Sequence, residues 1–267
     1  MSRLLKTLLS IAGSDPCGGA GIQSDVRVGT SMGLHVMTAI TSVTAQNSKG
    51  LKELGPVSPS LLKTQLDSIT EEILPDAIKI GMTGSLENLQ VIIDFIESLP
   101  DYIPVVVDPI LYISADHSIV LSEQIGKFYK ERLLPLADVI TPNLEENIYF
   151  SNTDISLSNL ESLPDLLNSN AIVLKGGHSD SEIVSDFLVI RNRKPLSFSH
   201  KKRECHNLHG TGCAYSSFLA SYLALGFNLE EAFFLTSSKI YEIISRSSGY
   251  SLGNSSNGPL NLNGLYL

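Results

Sequence analysis

The runs IPVVVD (103–108), DVIT (138–141) and AIVLK (171–175) constrain this chain more than any other feature. Each is short, rich in β-branched or aliphatic residues, and free of the apolar/polar alternation of a half-exposed strand. Strands of that kind are buried on both faces. Between such runs lie stretches with helical spacing, such as 59–73, where Leu62, Leu66, Ile69 and Ile73 form one stripe. Ser58 before Pro59 supplies an N-cap with proline in the first turn. Strands and helices alternating in this way predict an α/β fold, a mainly parallel sheet with helices on both faces.

The same reading places strands at 7–12, 36–44 and 77–81, and helices at about 19–32, 86–99 and 122–134. After residue 175 the pattern changes. Segments 182–192 and 194–202 read as an antiparallel pair around Asn192-Arg193, followed by helices over 211–225 and 229–245. The last 20 residues are rich in Ser, Asn and Gly and read as irregular. No linker, repeat or low-complexity segment interrupts the interior, so a single domain over 1–267 is expected.

Charge and cysteine usage narrow the function classes. With 19 basic against 28 acidic residues the net charge is -9, and no Lys/Arg-rich run occurs. That argues against nucleic-acid binding. No apolar stretch approaches the ~18 residues of a membrane span, and the run 8–12 is too short for a signal-peptide core. Cys17, Cys205 and Cys213 make no disulfide framework, which suits a reducing compartment. A soluble cytoplasmic protein is expected.

In an open parallel sheet, ligands sit beyond the carboxyl ends of the strands. The turns there read GSDPCGGAGIQSD, AQN, GM, Asp108-Pro109, PNLEE and GGH. The cluster Gly18-Gly19-Ala20-Gly21 matches neither a Walker A string nor G-x-G-x-x-G. It reads equally as a tight turn or as a place where backbone approaches a small ligand. A second cluster, His209-Gly210-Thr211-Gly212-Cys213, opens a helix. Its N–H groups and the helix dipole suit an anion, although a plain capped helix start has the same sequence. Cys213 would sit in the first turn, where the dipole lowers a thiol's pKa, unless it is a structural buried cysteine. Cys205, His206, His209 and Cys213 have zinc-binding side chains but no C-x-x-C or H-x-x-x-H pair, so zinc is not expected. Asp108 and Glu146 are two acids at one sheet edge, able to hold Mg²⁺ through waters beside nucleotide phosphates. Asp108 also reads as a turn residue before Pro109.

Taken in order, IAGSDPCGGAGIQSD (11–25), AITSVTAQN (39–47), KIGM (79–82), VVVDP (105–109), LLPLADVITPNLEE (133–146), VLKGGH (173–178), SDFL (185–188) and HGTGC (209–213) carry a resemblance. The chain resembles the hydroxymethylpyrimidine/phosphomethylpyrimidine kinases of thiamine biosynthesis, in the ribokinase-like superfamily. The resemblance implies transfer of the ATP γ-phosphoryl group to 4-amino-5-hydroxymethyl-2-methylpyrimidine and then to its monophosphate, with Mg²⁺. It implies that Gln46 and Asp25 face the pyrimidine, with Gly13 and Met82 lining the pocket. Asp108, Asn143 and Glu146 would lie near Mg²⁺ and the phosphates, and Lys175, Gly177 and Asp186 along the nucleotide. Gly210, Thr211 and Gly212 would form the anion hole, and Cys213 stands where many relatives carry a catalytic Asp. A homodimer is expected with it.

Three positions depart from the family pattern. The segment ILYISADHS (110–118) lacks the usual lysine and glycine, so a flap there would close differently over ATP. Leu208 interrupts N-T-H-G-T-G-C, and Glu145 replaces the proline of TPNLPE. The competing expectations are a vitamin B6 (pyridoxal or pyridoxine) kinase, a non-catalytic pyrimidine-binding protein, and a thiol enzyme built on Cys213 and His209.

Overall fold

The computed structural model describes residues 4–47, 49–111, 122–156, 158–176, 182–252 and 257–263. Its strands are β1 (Thr7–Ser14), β2 (His35–Asn47), β3 (Gly50–Pro56), β4 (Ala77–Ile80), β5 (Val105–Val107), β6 (Val139–Ile140), β7 (Ala171–Leu174), β8 (Ile183–Ile190) and β9 (Leu196–Lys201). They form one sheet in the order β3-β2-β1-β4-β5-β6-β7-β8-β9. The six strands from β2 to β7 in that order run parallel, while β3 on one edge pairs antiparallel with β2, and on the other edge β8 pairs antiparallel with β7 and β9 with β8.

The helices are α1 (Gly21–Ser31), α2 (Pro59–Thr70), α3 (Leu86–Glu97), α4 (Glu123–Phe128), α5 (Leu144–Ser151), α6 (Leu163–Leu166), α7 (Thr211–Ala224) and α8 (Leu229–Ser247). Successive strand residues point to opposite faces. On one face Leu9, Ile11, Ile78, Ile80 and Val107 pack with Leu62, Leu66, Leu89 and Ile92 of α2 and α3. On the other, Leu8, Ala77, Val106 and Val139 pack with Val28, Phe218 and Phe233 of α1, α7 and α8. The uninterrupted apolar strands thus serve two cores at once. Local signals start the helices: Ser58 caps α2 by accepting from Leu61 N, and Pro59 follows it.

The differences from the expected elements have physical reasons. GLKELGP has poor strand propensity, yet β3 forms because β2 offers it an unpaired edge. Helix α1 starts at Gly21 rather than Gly19, because the chain turns through positive φ at Gly18 (73°) and Gly21 (55°). The helix expected over 122–134 breaks after Phe128 into a wide turn at Tyr129–Leu133 and a tight one at Leu134–Leu136. Pro135 has no N–H to continue the ladder. The C-terminal segment is irregular as expected, but it is tied down: His209 N donates to Gly258 O (3.1 Å), and Asn261 N to Ser247 Oγ (2.9 Å).

Candidate active site

The parallel strands deliver their following turns to one edge of the sheet. Gly13 at the end of β1, Gln46 at the end of β2 and Met82 after β4 line a small cavity of about 70 Å³. Asp15, His209 and Cys213 complete its polar wall. Any side chain at Gly13 would overlap Met82 Cε and come within 2.9 Å of Ser42 Oγ, so glycine there is what leaves the space open. A larger groove, about 500 Å³, runs between α1 and the C-terminal segment, lined by Ile22, Val26, Arg27, Tyr250 and Leu260. Neither the strand-end acids nor α7 reach it.

Asp25 is a correction to the expected pocket. Its carboxylate is fully buried and does not line the cavity, accepting from Ser10 Oγ (2.5 Å), Ser217 Oγ (2.6 Å) and Lys79 Nζ (2.9 Å). With those donors filled it is an anchor between β1, β4 and α7 rather than a ring contact. Lys79, between Ile78 and Ile80 on β4, faces the α7 side of the sheet and reaches the cavity floor.

Beside the cavity, α7 begins at Gly210 with φ of 84° and no side-chain cap. The N–H groups of Gly212 and Cys213 lie in the first turn, where no helical carbonyl can pair with them. Thr211 departs from expectation: its N–H and its hydroxyl both donate to Leu208 O (3.1 and 2.7 Å). The first-turn N–H groups not turned onto Leu208 are therefore those of Gly212 and Cys213. A Cβ at Gly212 would stand 3.4 Å from Lys175 Nζ and 3.9 Å from Asp108 Oδ2, which puts the array against those two side chains.

Asp108 follows β5 and is buried, accepting from Thr141 Oγ1 (3.1 Å) and Ser216 Oγ (3.2 Å), with Lys175 Nζ at 3.5 Å. Asn143 and Glu146 form a capping box at the start of α5: Asn143 Oδ1 accepts from Glu146 N, and Glu146 Oε2 from Asn143 N, both at 2.8 Å. Glu146 Oε1 also accepts from Leu111 N (3.3 Å). The N-x-x-E spacing of that box was legible in the sequence. Burial pushes Glu146 up to about 7; Lys175 pulls it down and the charge of Asp108 adds to the rise. Two neighbouring acids, the charge of Asp108 being felt at Glu146, with oxygen lone pairs to spare, fit a divalent cation held through waters.

Asp186 sits on β8, and its carboxylate accepts from Gly176 N (3.0 Å), so it braces the glycine turn after β7. Its burial raises its pKa. Gly177 lies outside the described residues, as do 112–118 of the departing segment.

For Cys213 the electrostatics run opposite to expectation. Burial pushes its thiol up to about 12, Lys79 pulls against it, and the charges of Asp108 and Asp25 add to the rise. Desolvation of the thiolate outweighs the helix dipole, so the thiol keeps its proton at neutral pH. Two polar side chains that line the cavity escaped sequence reasoning. Lys79 lay inside a strand that reads as apolar, and Asp15 offered only a turn signal.

A family model described as phosphomethylpyrimidine kinase matches residues 15–261. A hydroxymethylpyrimidine/phosphomethylpyrimidine kinase of Staphylococcus aureus (strain MSSA476) is 33% identical over 235 residues, 85% of this chain and 83% of that protein. Among solved structures, phosphomethylpyrimidine kinase from Clostridium difficile 630 superposes with a TM-score of 0.76 at 33% identity, covering 89% of this chain and 98% of the other. The Staphylococcus aureus pyridoxal kinase in complex with AMP-PCP and pyridoxal gives a TM-score of 0.84 at 25% identity, over 97% and 94%.

Proposed function

The chain belongs to the phosphomethylpyrimidine kinase family, and from that premise we propose that it phosphorylates 4-amino-5-hydroxymethyl-2-methylpyrimidine and then its monophosphate, with ATP as donor. It is a small-molecule kinase whose ribokinase-like sheet carries the site at the strand ends. The observation that carries the substrate reading is the meeting at one sheet edge of the Gly13–Gln46–Met82 cavity and the first turn of α7, beside Asp108 and Lys175.

Phosphoryl transfer needs positioning and charge stabilisation more than covalent help from the protein. In this reading Gln46 orients the ring, and the N–H groups of Gly212 and Cys213 with Lys175 receive charge on the moving phosphoryl group. Asp108 and Glu146 would hold Mg²⁺, which neutralises phosphate charge when bound. The bond from the acceptor oxygen to phosphorus forms as the bond to the ATP β-phosphate oxygen breaks. The hydroxyl proton leaves to the minority thiolate of Cys213. The expected setting is one cytoplasmic domain acting as a homodimer on small molecules; among the described residues no helix is long and apolar enough to cross a membrane.

A vitamin B6 kinase is the second reading, favoured by the fold likeness to pyridoxal kinases. The test is incubation with Mg-ATP and, separately, the pyrimidine alcohol, its monophosphate and pyridoxal, followed by product separation. Pyrimidine mono- and diphosphate are expected. Pyridoxal phosphate alone would shift the assignment to the second reading, and ADP with no acceptor product would overturn both.

A further inference from the structure

We propose that Asp15 and His209 form a clamp holding the acceptor cavity in register with the N–H array of α7, making both positioning residues for transfer. The inference rests on the kinase reading. Asp15 is buried and gathers four donors: Cys17 N on Oδ1 (2.9 Å), and Gly19 N (3.0 Å), Ala20 N (2.8 Å) and His209 Nε2 (3.1 Å) on Oδ2. Burial by itself would raise this carboxyl, but the His209 bond and the N–H groups of Cys17 and Ala20 overcome that and hold it below its usual value. An ionised carboxylate only accepts, which assigns Nε2 as the donor.

The two ends of this bond belong to the two halves of the site. Residues 13–15 form the cavity wall, and His209 immediately precedes the turn carrying Gly212 and Cys213. They are 194 residues apart in sequence. The backbones meet at the same place: at Gly210 (φ 84°) a Cβ would overlap Gly19 O, and at Gly19 it would overlap the His209 ring. His209 is held from behind by Gly258 O and Leu260 N. Neither Asp15 nor His209 is needed to bind ATP in the proposed mechanism. Both set where the acceptor hydroxyl stands relative to the phosphoryl-stabilising N–H groups. Misplacement of about 1 Å in such a geometry can cost 10²-fold in rate.

The test uses the full chain and two readouts. In amide hydrogen exchange without substrate, His209→Ala should raise exchange at 17–20 and Asp15→Asn at 210–213, each on the loop it does not belong to. In steady-state kinetics, His209→Ala should lower kcat by about ten- to a hundredfold with KM for ATP within about twofold. His209→Gln, which restores a donor near the Nε2 position, should recover most of that rate. The Asp15→Asn/His209→Ala double variant should be little slower than the slower single. Exchange changes confined to the mutated loop would overturn the clamp, as would a His209→Gln variant no better than alanine or fully additive losses. If the wild type phosphorylates no acceptor, the kinase reading fails, and the exchange result still decides whether the clamp exists.

Discussion

Lys79 Nζ lies 2.9 Å from Asp25 Oδ2, and neither side chain has any exposure to solvent. The pair joins β4 to α1, and the hydroxyls of Ser10 and Ser217 fill the remaining carboxylate positions from β1 and α7. It lies between the sheet and the helix whose first turn forms part of the site.

Removing one partner of a buried pair strands the other charge. Lys79→Met should therefore cost about 3–5 kcal/mol in urea unfolding. The Asp25→Leu/Lys79→Met double variant should lose less than the sum of its singles, because it leaves no unpaired charge. A Lys79→Met loss near the ~0.5 kcal/mol of a surface substitution would show that the pair contributes little.

Glu146 makes stability depend on pH with a definite sign. Its pKa rises from 4.5 to about 7 in the folded chain, so the native state holds this proton more tightly than the unfolded one. The stabilisation is complete below the unfolded value and lost as pH rises through about 7. Melting temperatures at about pH 5 and about pH 8 should fall more in the wild type than in Glu146→Gln, which keeps an acceptor for the α5 cap. Equal slopes would remove Glu146 as the source.

Gln46 is the cavity's amide, able both to donate to and to accept from a ring edge. Gln46→Leu should raise the KM of the pyrimidine alcohol far more than that of ATP, by as much as about 10⁴-fold if the amide pairs with the ring directly. Parallel changes in both constants would mean that Gln46 does not touch the acceptor.

Because the Cys213 thiol is pushed up to about 12, its thiolate fraction grows with pH throughout the neutral range. If that thiolate takes the hydroxyl proton, wild-type kcat should climb roughly tenfold per pH unit between about pH 7 and about pH 9. Cys213→Asp should flatten the profile there, and Cys213→Ala should lower kcat by roughly 10²–10⁴-fold. A flat wild-type profile, or an alanine variant near the wild-type rate, would take Cys213 out of proton transfer.

Much of this protein is written locally. The apolar runs ending at Asp108 and Lys175 encode doubly covered strands, and the turns after them carry the site's acids, lysine and glycines to one edge. Ser58-Pro59 and the N-x-x-E of 143–146 mark helix starts within four residues. Such features are legible because backbone geometry and side-chain periodicity depend on near neighbours. What the tertiary structure decided depends on contacts that no short window contains. Strand β3 forms against its poor propensity because β2 has a free edge. Asp25, a polar residue on a helix after a glycine turn, faces inward because Lys79, Ser10 and Ser217 arrive from three other elements. Asp15 meets His209 only once the sheet has brought the two ends of the chain together. Cys213 illustrates the difference most plainly: its place in the first turn of α7 was readable, but the sign of its pKa shift follows from burial, a property of the whole packed molecule.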